Sequence, residues 1–131
     1  MAKGPSIQLG TIIDNFHLEV LYGPEGYRER EITIEDVNRP GLQLTGFFDY
    51  FDAERMQVIG LVETSYLQRL TREERYNSFR QLFSYHTPAL IFARGLEPYP
   101  ECIEAAREEG QTLLRTQENT ANIMSTLIAY L

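Results

Sequence analysis

Arginine is the residue type in this chain with most to offer a ligand. Its guanidinium is a planar fork of donors that fits carboxylate and phosphate oxygens, and of the twelve basic residues only Lys3 is a lysine. Three arginines stand near strand-like segments: Arg94, beside Gly95, follows the apolar run 89–93; Arg115 closes the run 112–115; Arg39 sits in the polar stretch 35–41 with Asp36 and Asn38. In open parallel sheets, ligands gather beyond the carboxyl ends of the strands. Asp36, Asn38, Arg39, Arg94, Gly95 and Arg115 therefore form a candidate site for a phosphorylated or carboxylated small molecule. The competing reading of the same residues is structural, with Arg39, Arg94 and Arg115 pairing with Glu63, Glu97 and Asp36 to fix loops.

Other chemistries are harder to support. Gly41 and Gly46 have the spacing of a Walker A loop, but Phe47 and Phe48 stand where Lys and Ser or Thr must contact phosphate and magnesium. Glu73/Glu74 and Glu108/Glu109 are neighbours on predicted helices and face different directions, as solvated charges do. His17 and His86 have no Ser, Cys or Asp at a recognisable motif spacing, and catalysis by either would need an oriented partner. The single cysteine, Cys102, cannot close an internal disulfide, and with two scattered histidines it gives no metal-ligand pattern. No catalytic residue, metal ligand or cofactor site is expected in this chain.

The elements that must position these groups read as follows. Leu9, Ile12, Ile13 and Phe16 share a helical face, predicting a helix over 6–16 with Ser6 as its cap. Residues 18–22 and 28–34 alternate apolar with polar around Gly23-Pro24-Glu25-Gly26, predicting a pair of antiparallel strands. The stretch 35–41 has the chemistry of a fixed turn: Pro40 restricts φ, Gly41 permits positive φ, and Asp36 or Asn38 can bond neighbouring amides. Phe47, Phe48, Tyr50 and Phe51 are expected in the core, as a subunit contact is the less favoured use of so much apolar area.

A strand at 57–60 precedes helices at 63–70 and 71–83. The second opens on the capping box Thr71-x-x-Glu74 and turns Tyr76, Phe79 and Phe83 inward. The continuous apolar run 89–93 predicts a strand covered on both faces. A Pro-rich loop, a helix over 101–109 stopped by Gly110, and a strand over 112–115 follow. Crossovers of this length make three parallel strands. A capped helix over 119–131, with Ile123, Met124, Leu127, Ile128 and Leu131 on one side, ends without a polar tail, as at a domain boundary. The expected fold is α/β: a short, mostly parallel central sheet flanked by helices in a small three-layer-like domain.

One domain spanning 1–131 fits the length, which is enough to bury roughly two-thirds of the unfolded-chain surface. An apolar content of 43% and charged content of 24% are ordinary for a globular chain. A net charge of −7 with one lysine argues against nucleic acid as a partner, since that binding needs clustered cations. No run approaches the roughly 20 apolar residues of a membrane span, and the start lacks a signal-like apolar stretch, so no membrane partner and a cytoplasmic location are expected.

The string E-I-T-I-E-D-V-N-R-P-G-L-Q-L-T-G-F from Glu31 to Phe47, followed by R-M-Q-V-I-G from Arg55 to Gly60, resembles the N-terminal domain of the bacterial HPr kinase/phosphorylase family. Gly23 and Gly26 ahead of Arg30-Glu31-Ile32, Leu82-Phe83-Ser84-Tyr85, Thr87-Pro88-Ala89, Arg94-Gly95-Leu96-Glu97 and Leu113-Leu114-Arg115 extend the likeness over nearly the whole chain. The resemblance implies a non-catalytic accessory or regulatory module. Its parent would phosphorylate and dephosphorylate a serine of the phosphocarrier HPr, with ATP and magnesium, in control of carbon metabolism. The family's catalytic residues lie in a C-terminal P-loop kinase domain, expected downstream of Leu131, and none maps onto a position here. Implied partners are that kinase domain, the other subunits of a parent hexamer, and HPr through the parent. The family domain is also similar in fold to the first domain of the muramyl-peptide ligases, where Asp36-x-Asn38-Arg39 would be the counterpart of a uridine-binding loop, with Asn38 in place of the usual serine. The alternative is a free-standing sensor domain binding an anionic small molecule, a phosphorylated sugar or nucleotide-sugar.

Overall fold

A computed structural model describes residues 6–33 and 36–131. Its centre is a five-stranded sheet of β2 (Glu19–Tyr22), β7 (Leu113–Arg115), β6 (Leu90–Phe92), β5 (Met56–Ile59) and β4 (Val37–Asn38), in that spatial order. β4, β5, β6 and β7 run parallel, with Val58 beside Ile91 and Ile91 beside Leu114, while β2 is an antiparallel edge on β7. A separate pair joins β1 (Ile7–Gln8) to β3 (Glu31–Ile32).

Alternation along the buried strands divides the core into two layers, because successive side chains leave a strand on opposite faces. Val58, Ile91 and Leu114 pack on one face against Leu9, Ile12 and Ile13 of α1 (Leu9–Phe16) and Ile123 and Leu127 of α6 (Thr120–Tyr130). Ile59, Leu90, Phe92 and Leu113 pack on the other. There they meet Leu44 of α2 (Gly41–Leu44), Leu67 of α3 (Leu61–Gln68), Phe79, Leu82 and Phe83 of α4 (Arg72–Phe83), and Cys102, Ala105 and Ala106 of α5 (Pro100–Glu109). The result is helix, sheet, helix in three layers, as the sequence predicts. Thr71 and Glu74 form the predicted capping box, and Gly110 ends α5 with φ +71°.

Several local expectations are corrected. Ser6 does not cap a helix: its hydroxyl donates to Glu31 (2.7 Å), Ile7–Gln8 is strand, and α1 starts at Leu9 behind Gln8. The strands at 18–22 and 28–34 do not pair with each other. The Tyr27 ring closes over Gly23, where a Cβ would lie 2.6 Å from it, and residues 27–29 make a 3-10 turn that sends the chain away. β2 joins β7 instead, and Ile34, the expected strand end, lies outside the described residues, as do Glu35 and residues 1–5.

The stretch around Arg39 is not a simple turn. Val37–Asn38 is a fourth parallel strand, held by backbone bonding to β5, and Gly41 takes helical backbone at the start of α2. The aromatic burst divides. Phe48 stacks on Tyr85 (centroids 4.4 Å apart) with Phe51 edge-on to both, whereas Phe47 is half exposed and Tyr50, at φ +60°, is fully exposed. Ile128 likewise turns from the α6 core stripe to solvent.

Candidate functional site

The two sheet faces are covered by helices that leave the same edge. α3 departs from the end of β5 onto one face, and α6 departs beyond β7 onto the other and runs back over β5 and β4. A crevice opens where helices diverge to opposite faces beyond the carboxyl ends of parallel strands.

Gly60 is the point of closest approach. A Cβ there would lie 2.2 Å from Thr120 Oγ1 and 3.1 Å from an Arg39 Nη2, so only glycine lets the α6 start and the Arg39 guanidinium meet at the end of β5. Glu63, three residues on and 4% exposed, accepts at Oε1 from the Gly60 amide (2.8 Å) and from Arg39 Nη2 (2.8 Å). It thus caps the helix start and anchors Arg39. The Nε of Arg39 is buried without a hydrogen-bond partner among the described residues.

Arg94 reaches the same place from β6. It and Gly95 are consecutive left-handed residues, at φ +59° and +63°. Their amides donate to Glu118 O and Thr116 O, both at 2.8 Å, lashing the turn after β6 to the loop that enters α6. Between them lies a cavity of about 370 Å³ lined by Arg39, Arg94, Leu61, Val62, Asn119, Thr120 and Ala121. The first two residues of α3 and the cap and first two residues of α6 are all in that lining. Amides at these positions have no acceptor within their own helix and carry the positive end of its dipole. Among the described residues Arg94 forms no ion pair, whereas Arg39 is matched by Glu63.

The other candidates go elsewhere. Arg115 is held in a bidentate contact by Glu19 (3.0 and 2.9 Å) and by Glu97 (3.0 Å), and these carboxylates raise its pKa while the Arg115 hydrogen bond lowers that of Glu19. Asp36 accepts from the Val37 amide (2.8 Å) and lies 3.4 Å from Arg55, so the expected pairing of an arginine with Asp36 involves a different arginine. Asn38 donates to the buried side chains of Gln57 (2.7 Å) and Gln43 (3.1 Å), fixing β4 to β5 and α2. Gly95 turns the chain beside Arg94, packed against Gln117. Leu61, Val62, Asn119, Thr120 and Ala121 were not among the sequence candidates; the only local signal was the Asn119 cap, whose Oδ1 accepts from the Asn122 amide (2.8 Å). Cys102 is fully buried on the sheet-facing side of α5, its thiol pushed well above the ordinary value by burial and then by Glu101. The described residues hold no group of three His, Cys, Asp or Glu placed for a metal ion, and no helix long and apolar enough to cross a membrane.

Fold and edge together define a class: a small three-layer α/β domain whose crevice, beyond parallel strands, presents cations, helix-start amides and aliphatic side chains. The family model described as HPr Serine kinase N terminus matches residues 7–131, and the chain belongs to that family. An HPr kinase/phosphorylase of Streptococcus thermophilus is 38% identical over 126 residues, covering 96% of this chain and 41% of the relative. One from Lachnoclostridium phytofermentans shows the same identity and coverage, 38%, 96% and 41%. The chain thus spans 41% of the length of these relatives, corresponding to their N-terminal domain. Among solved structures, the CBS and DRTGG domains of the regulatory region of Clostridium perfringens pyrophosphatase, complexed with the activator diadenosine tetraphosphate, superpose with TM-score 0.61. That match covers 92% of this chain and 45% of the other at 20% identity, and it shows the α/β fold alone.

Proposed function

We propose that this chain is the non-catalytic, regulatory N-terminal domain of an HPr kinase/phosphorylase, and that it senses an anionic small molecule at the edge shared by Arg39 and Arg94. The parent's reaction, ATP- and magnesium-dependent phosphorylation of HPr and its reversal, belongs in this reading to the part of the relatives that the chain does not span. The same part would supply the subunit contacts and the approach to HPr.

The observation that carries the reading is the convergence of Arg39 and Arg94 on one cavity walled by two helix starts. Such a lining holds an anion; it offers no base beside a nucleophile. The solved neighbour is itself part of a regulatory region crystallised with an activator, which agrees with a sensing role. Incubation of the chain with ATP, magnesium and HPr is expected to give no phosphoserine on HPr. Phosphoserine above the no-protein control would overturn the non-catalytic assignment.

A further inference from the structure

Resting on that reading, we infer that the ligand of the Arg39–Arg94 cavity is a phosphate monoester with a flat apolar body, the chemistry of a nucleoside monophosphate, and that Arg94 is its principal phosphate contact. The two arginines are not equivalent. Arg39 is already committed to Glu63 at 2.8 Å, and that carboxylate cancels its charge and holds its position. Arg94 is exposed and forms no ion pair among the described residues, so its guanidinium supplies the uncompensated charge at the cavity. On a chain of net charge −7, an anion is held only by such a local source, here reinforced by the start of α6.

The backbone supports the same assignment. An arginine at φ +59° occupies a conformation that glycine adopts freely and that strains a residue with a Cβ. The next residue is already a glycine at φ +63°. Among the described residues the Arg94 side chain has no internal partner, so nothing in the described fold calls for an arginine at this strained position.

The body of the ligand follows from the remaining wall. Leu61 and Val62 are half to two-thirds exposed, at 50% and 69%, and with Ala121 they supply the aliphatic part of a lining whose charged part is Arg39 and Arg94. Among the described residues, Asn119 and Thr120 are the only uncharged polar side chains in the lining, and the Asn119 oxygen already caps α6. The hydroxyls of a sugar phosphate gain nothing from aliphatic surface and keep their water there, so they add little to what the phosphate alone contributes. A planar base or aryl ring would cover that surface instead.

The test is a heteronuclear NMR titration of the chain with adenosine monophosphate, glucose 6-phosphate, inorganic phosphate and adenosine, repeated for Arg94→Gly and Val62→Ser. The nucleotide is expected to shift Arg94, Thr120 and Val62 and to bind at least tenfold more tightly than the other three. Arg94→Gly is expected to abolish binding while melting no lower than the parent chain, since it removes the cation and relieves the left-handed backbone. Val62→Ser is expected to reduce nucleotide affinity to near that of inorganic phosphate. Equal affinity for phosphate, sugar phosphate and nucleotide would overturn the apolar-body assignment and leave the anion site standing. Binding unchanged in Arg94→Gly would overturn the role of Arg94. Tight binding of adenosine alone, or no shifts at millimolar concentration of any probe, would overturn both this inference and the sensing role it rests on.

Discussion

Glu63 and Arg94 show how unequal two charged side chains at one edge can be. Glu63 is buried and accepts two bonds on one oxygen, from the Gly60 amide and from Arg39. Replacing it with alanine leaves the amide at the start of α3 without an acceptor and Arg39 without a counter-charge. Glu63→Ala is expected to lower the unfolding free energy by about 2 kcal/mol, the scale of a lost cap combined with a broken, partly buried ion pair. Urea denaturation checks this, with an unchanged m-value showing that the fold persists. Arg94 holds no comparable place in the fold: its backbone ties the turn after β6, while its side chain bonds to nothing among the described residues. Sequence alone placed both residues just past strands, but it could not tell which arginine had a partner, because ion pairs form between side chains far apart in the chain.

Among the elements, the segment after α2 separates most sharply what is packed from what is displayed. Phe48 lies flat against Tyr85, and Phe51 meets both rings edge-on with centroids 5.5 Å away, closing this segment onto the end of α4. Tyr50, two residues past Phe48, is fully exposed at φ +60°. Phe48→Ala is therefore expected to cost about 2 kcal/mol of stability, below the range for a fully buried phenylalanine, whereas Tyr50→Gly is expected to change it by less than about 0.5 kcal/mol in either direction. Comparison of the two denaturation midpoints decides it, and equal losses would contradict the packing. The sequence supplied an aromatic cluster with no regular period. Without a period, it carried no record of which rings face inward, and a core role for all four was the wrong generalisation. Where a period exists, legibility is high: the stripe of α4 and the two-sided burial of β6 were both readable, since 3.6-residue and unbroken apolar patterns encode their own environment.

At the scale of the whole molecule, β2 closes the sheet by pairing with a strand near the other end of the chain. Glu19 and Arg115 sit opposite each other in that register, 96 residues apart in sequence, and bond twice. The Arg115 hydrogen bond holds the Glu19 carboxyl below its ordinary value, with burial opposing. A carboxyl whose folded pKa is depressed contributes stability above its unfolded value and loses it as pH falls toward the folded one. Stability is thus expected to fall on acidification below about pH 4.5, and to fall less steeply in Glu19→Gln, as measured by denaturation along a pH series; the contribution is small, because the carboxylate is exposed and screened. By itself, the sequence determined the α/β class, the order of β5, α3, α4, β6, α5, β7 and α6, the caps at Thr71, Gly110 and Asn119, and the set of arginines from which an anion site could be drawn. These depend on local periodicity and on single residues with fixed conformational preferences. Only the tertiary structure decided that β2 leaves its sequence neighbour for β7, that Arg115 is bound to Glu19 while Arg39 and Arg94 share a cavity, and that Leu61, Val62 and the start of α6 complete it. Those outcomes depend on which strand edges and helix starts meet across the sheet, and no short stretch of chain contains that information.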